Sequence, residues 1–176
     1  LKNKVKNLKI IINQIAVGSI PQKKIFYKNQ STNLSSFLKV NLRSKFLIKM
    51  KKLKKQKKYL KSINIPVKVN QIKLDTYINQ HKVKQIDLIK IDTQGYEEDV
   101  LKGISGKNLR KIKIIVIELN FWDLYEKNNS FYIIEKYLKN DFLFWDISAI
   151  FKNPKYFNTD HLDAIYINKE YINRIK

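Results

Sequence analysis

The sequence contains no cysteine, four glycines, three prolines and two histidines, and each scarcity removes a class of protein. Without cysteine there is neither a disulfide framework nor a thiolate metal site. So few glycines and prolines argue against an all-β sandwich with its many tight turns. No apolar run approaches the roughly 18 residues of a membrane span. The opening LKNKVKNLKIII threads lysine through what would have to be the apolar region of a signal peptide. The expectation is a soluble, cytoplasmic protein without a transmembrane segment. Arginine is scarce too: it supplies 3 of the 36 basic residues, lysine the other 33, and the formal charge is +21. A field of that size favours anionic partners. AT-rich coding bias, however, yields Lys, Asn and Ile without any selection for binding, and phosphate recognition would favour the bidentate guanidinium. No specific nucleic-acid partner is expected, and the oligomeric state cannot be read.

At 176 residues the chain suits one compact domain, residues 1–176. Short β-rich runs alternate with helical patterns. Residues 8–17 read as a strand ending at Gly18, residues 23–28 as an edge strand, and residues 29–36 as a polar loop. Over residues 46–60 the apolar positions Phe46, Met50, Leu53 and Leu60 fall at helical spacing among lysines, giving a basic amphipathic helix. It either packs on its own domain or touches a membrane surface peripherally. Pro66 interrupts that pattern, and residues 67–74 alternate as a strand does.

The second half is more regular. Residues 86–91 form a strand, 96–110 a helical stretch broken near Gly103 and Gly106, and 112–119 a second strand. This is a β-α-β unit with parallel strands. Both strands are nearly continuous in apolar residues, which predicts cover on both faces. Residues 130–140 read as a helix. Residues 142–151 and 162–168 read as two strands whose short connection, containing Pro154, favours antiparallel pairing. The expected fold is α/β, with a mostly parallel sheet ending in an antiparallel strand.

Ligands of open α/β sheets collect outside the carboxyl ends of the strands. The first strand of the β-α-β unit closes on Asp92 and the second on Glu118. On neighbouring parallel strands these acids share one rim, with backbones about 5 Å apart. A carboxylate closing a buried strand has no propensity reason to be there, so Asp92 leads the candidates. The turn Thr93-Gln94-Gly95 follows, with Gly95 permitting a positive φ or a close ligand approach. Glu97, Glu98 and Asp99 occupy the first turn of the next helix, where they complement its dipole. Glu97 lies nearest the rim. Two or three carboxylates could hold Mg²⁺, but nothing in the spacing requires a metal. His81 sits in a lysine-rich polar turn and reads as solvated. His161, beside Asp160 and Asp163, is a lesser acid/base candidate.

The phrase LDTYINQHKVKQIDLIKIDTQGYEEDVLKGI, residues 74–104, resembles the FkbM methyltransferase pattern. That pattern runs Leu-Asp before a short helix, then a strand ending Lys-Ile-Asp, a polar residue or two, Gly, Glu and Leu-Lys-Gly. Residues 10–37, IIVIELN at 114–120, and the late LFWDI and HLDAIYIN segments resemble the flanking parts of the family. The resemblance implies a class I methyltransferase fold, Rossmann-like, with S-adenosylmethionine as methyl donor. It also implies a hydroxyl acceptor on a sugar, glycan or other small metabolite. Asp92, with Glu97 and Glu118 in support, would then be catalytic. Ala16 and Val17 would meet the cofactor; Ser35, Ser36, Gln94 and Gly95 would line the substrate site. The family's opening strand with its glycine-rich turn, and the acid that holds the ribose, have no counterpart here. The chain is therefore expected to lack the first strand-helix units, as an N-terminally truncated domain with a core strand left unpaired. Two competing expectations are a catalytically inactive remnant and a basic module binding an anionic polymer or membrane surface.

Overall fold

The structure is a computed structural model and describes residues 10–44, 48, 63–121, 123–125, 131–152 and 158–175. A small sheet is formed by β1 (Ala16–Val17), β2 (Gln22–Lys28) and β3 (Ile65–Ile72) in the order β1-β3-β2. Helix α1 (Leu74–Gln80) leads to β4 (Ile86–Ile91), then α2 (Glu97–Lys102), α3 (Gly106–Leu109) and β5 (Ile112–Asn120). Helix α4 (Phe131–Leu138), strands β6 (Phe142–Lys152) and β7 (Thr159–Asn168), and helix α5 (Lys169–Ile175) complete the chain. The larger sheet has the order β4-β5-β7-β6. No helix among the described residues is long and apolar enough to cross a membrane.

The β-α-β unit is present as the sequence implies, with β4 parallel to β5 in the register Ile91↔Ile117. The late strands also pair antiparallel, β6 with β7. Because β7 lies between β6 and β5 and runs against both, the sheet is mixed rather than mostly parallel. The smaller sheet is mixed as well, β1 running parallel to β3 and β2 antiparallel. The architecture is mixed α/β.

Burial follows the pleat. In β5 the side chains of Ile115, Ile117 and Leu119 point one way and are fully buried. They meet Ala164 and Tyr166 of β7, Val100 and Leu101 of α2, and Ile134 and Leu138 of α4. Ile134 and Leu138 stand one turn apart on α4, the spacing that aims one apolar stripe at a sheet. Each such side chain contributes about 1.5–3 kcal/mol of transfer free energy. Cover of the second face is uneven among the described residues, where Glu118 and Asn120 of β5 are buried. Leu88 of β4 points the other way and is 55% exposed, because the packed helices α2 and α4 both contribute to the one core.

Among the described residues of the strand expected over 8–17, only Ala16–Val17 pairs in a sheet, Ala16 with Gln71 and Val17 with Ile72. Ile11, without one, is 70% exposed. The strand expected over 67–74 starts earlier, at Ile65, and yields to α1 at Leu74. The helix expected over 46–60 lies outside the described residues apart from Ile48, and so does the loop around Pro154. The two sheets meet where Gly18 and Gly103 touch. A Cβ on Gly103 would lie 2.2 Å from the Gly18 carbonyl oxygen.

Candidate functional site

Since Ile91 and Ile117 are paired, the next residues, Asp92 and Glu118, face each other across the rim. The connection between them is Gln94. Its Nε2 donates to Asp92 Oδ1 at 2.8 Å and to Glu118 Oε2 at 3.1 Å. Its Oε1 accepts from the Tyr125 hydroxyl at 3.0 Å. The two carboxylate acceptors set which way round the amide lies, and the Tyr125 hydroxyl, which can donate or accept, suits that orientation.

Gln94 reaches both acids because its backbone takes φ 57°, followed by Gly95 at φ 87°. A left-handed conformation is uncommon for a side-chain-bearing residue and is held only where its surroundings dictate it. Two contacts supply that constraint. Glu97 turns back over the loop, its Oε1 accepting from Thr93 N at 2.9 Å, Thr93 Oγ1 at 3.2 Å and Gly95 N at 3.1 Å. From the other side the buried Ser36 donates to the Gln94 carbonyl at 2.8 Å. Tyr125 in turn rests in a second small core with Leu34, Val40 and Leu124.

Burial pushes the Glu118 carboxyl up to about 8, and the neighbouring Asp92 and Glu97 carboxylates act in the same direction. Two like charges this close oppose each other's ionisation, so the pair holds a proton at neutral pH. Burial likewise raises the Tyr125 hydroxyl well above its usual range, so it stays a donor. On the outer side Lys90 contacts Asp163 at 2.5 Å and Asp92 at 3.9 Å. His161 lies opposite Asn120 in the β5–β7 register and stacks on Phe151 with ring centroids 4.3 Å apart. Burial lowers its pKa, against the pull of Asp160, Asp163 and Asp92. His81 packs against Tyr77 at 4.3 Å, away from these groups.

A cleft of about 950 Å³ opens between this turn and the small sheet. Its apolar walls are Val17, Phe26, Phe37 and Ile72, while Asp92, Thr93 and Gln94 form one polar end. Ala16, Val17, Ser35, Asp92 and Gln94 therefore lie on one cavity. Ser36, Gly95, Glu97 and Glu118 lie behind its wall: Ser36, Gly95 and Glu97 hold the turn, and Glu118 holds Gln94. Ser35 also accepts from Asn29 N at 3.0 Å, which shapes the loop.

Sequence reasoning missed Tyr125, Tyr96 and Lys24. Tyr96 forms part of the cleft wall; its hydroxyl accepts from Lys24 Nζ at 2.6 Å and donates to Gln71 at 3.1 Å. None of the three ends a strand, and an aromatic or a lysine in this composition carries no signal of its own.

Asp92, directly after β4, and Glu118, within β5, stand beside a cleft with apolar walls in a mixed α/β protein. The chain belongs to the FkbM methyltransferase family: the family model described as Methyltransferase FkbM domain matches residues 2–144. No curated protein and no solved structure matches the chain.

Proposed function

We propose that the protein is an S-adenosylmethionine-dependent O-methyltransferase acting on a hydroxyl of a sugar or other small metabolite. The observation that carries the reading is the Asp92–Gln94–Glu118 bridge at the edge of the cleft. Family membership supports the reaction class.

The cleft fits the cofactor in two respects. Val17, Phe26 and Phe37 offer apolar and aromatic surface to a nucleobase, and Asp92 offers a carboxylate to a cationic centre. When bound, the cofactor supplies an electrophilic methyl group on a sulfonium sulfur. Asp92 is the group that takes the acceptor's hydroxyl proton as the new oxygen–carbon bond forms. Gln94 fixes the carboxylate's orientation by holding Oδ1. Glu118, its carboxyl pushed up to about 8 by burial, anchors Gln94 from behind. Glu97 and Ser36 are positioning residues for the turn.

The reading is tested by titrating S-adenosylmethionine into the 176-residue chain by calorimetry. Transfer of labelled methyl to a panel of sugars and hydroxylated metabolites is then measured. Saturable binding and label on a hydroxyl oxygen are expected; an absence of binding overturns the proposal.

A further inference from the structure

At the end of the larger sheet opposite Asp92 lies a second concavity, of about 240 Å³. One water takes roughly 30 Å³ in the liquid, so this space admits a polyatomic ion. Five cations line it, Lys84, Lys107, Arg110, Lys111 and Lys113, against the single acid Glu170. Two of the five have partners: Asp87 contacts Lys113 at 2.7 Å, and Asp141 approaches Arg110 at 3.9 Å. Lys84, Lys107 and Lys111 form no ion pair among the described residues.

The backbone beneath these side chains is held in place. Asn168, only 3% exposed, donates through Nδ2 to the carbonyls of Arg110 at 3.2 Å and Ile112 at 2.9 Å. Its Oδ1 accepts from Glu170 N at 2.9 Å, which ties in the start of α5. Ile86 N donates to the Lys111 carbonyl at 2.9 Å. One buried amide thus joins the segments that present Arg110, Lys111, Lys113 and Glu170. Lys84, Lys107 and Arg110 are exposed, and Lys111 and Lys113 half-buried, around the one concavity that all five line, and an anion there relieves their mutual repulsion. Arg110 adds the planar donor fork that suits an oxyanion.

We propose that this pocket binds a phosphate-type oxyanion, either free or as the phosphate group of a small molecule. The site is independent of the methyl-transfer reading, since it lies at the other end of the sheet and shares no residue with the cleft.

The test is calorimetric titration of the chain with inorganic phosphate, pyrophosphate and glycerol phosphate at fixed low salt. The double variant Lys107→Gln, Lys111→Gln should weaken binding by about tenfold or more, as expected for loss of charge-assisted contacts. The variant Lys23→Gln, Lys68→Gln removes the same charge from the small sheet and should leave affinity unchanged. Tighter binding of glycerol phosphate than of phosphate identifies an ester as the source, and equal binding the free ion; either supports the site. No binding, or equal weakening by both double variants, overturns it, because the second result means a diffuse field.

Discussion

Asp92 is tied to the residue two positions on. Gln94, in its left-handed conformation, gives one amide hydrogen-bond set to three side chains and so joins Asp92 to Glu118. Replacing Asp92 with Asn is expected to cut methyl transfer by about 10²–10⁴-fold, the usual worth of a general base. The melting temperature should change little, since the Asp92 side chain is 39% exposed. A wild-type rate in that variant removes Asp92 from the mechanism. Glu118 makes a different prediction. Its folded pKa of about 8 stands above the ordinary 4.5, so the folded state holds a proton that the unfolded chain has released. Its contribution to stability is complete below about 4.5 and is lost as pH rises through about 8. Glu118→Gln should flatten the decline in denaturation midpoint across that window; an unchanged slope would exclude Glu118 as its source. At this scale the acids were legible in the sequence, because a carboxylate ending an apolar strand is visible as a pattern. Tyr125 was not, because its place depends on a small core that brings loop residue Leu34 against Leu124.

Elements were legible where they carry their own signal. The bounds of β4 follow from the sequence pattern, and β5 differs by one residue, since each is rich in isoleucine, a β-branched residue that favours strands. The strand expected over 8–17 failed for the converse reason: apolar composition makes a strand only where a neighbour accepts its backbone hydrogen bonds. The Leu-Asp pair before β4 also takes on a structural meaning. Asp75 Oδ1 accepts from Ser105 N, Ser105 Oγ and Asn108 Nδ2 at 2.9, 3.2 and 2.8 Å, joining α1 to α3. Burial works to raise its pKa, but the hydrogen bonds from Asn108 and Ser105 prevail and hold it below the ordinary range. The stabilisation is therefore present above the ordinary 3.8 and is lost as pH falls through the folded value. Asp75→Ala should destabilise by about 1–2 kcal/mol at neutral pH and by progressively less in acid, as read by urea denaturation. At the junction of the sheets, Gly103→Ala places a Cβ against backbone that has no rotamer to change. A loss of about 1–3 kcal/mol is expected, and a neutral result by the same measurement would mean that the β1 turn can withdraw.

Over the whole molecule two tendencies oppose each other. Strand β6 is an edge carrying exposed Trp145, Ile150 and Phe151, and Leu88 stands open on the other edge strand. Such edges favour association between chains. The charge of +21 opposes it, and that repulsion is screened over about 10 Å at 0.1 M salt. Sedimentation velocity should therefore show association growing with added salt, and Ile150→Lys should reduce it. Association that instead falls with salt would point to contacts between opposite charges.

The sequence by itself determined the segments with a strong pattern of their own, such as β4, β5 and α4, since period and β-branching are local properties. It also placed Asp92 and Glu118 side by side, because parallel strands in register bring together the residues that follow Ile91 and Ile117, although β5 runs on to Asn120. Only the tertiary structure decided that β7 enters between β5 and β6 and makes the sheet mixed, that Leu88 is left exposed on β4, and that Gln94 joins the two acids. The same holds for the basic pocket, where Asn168 brings α3, β5 and α5 together. These outcomes depend on which distant segments satisfy one another's hydrogen bonds and cover one another's apolar surface, and no stretch of the chain encodes that choice alone.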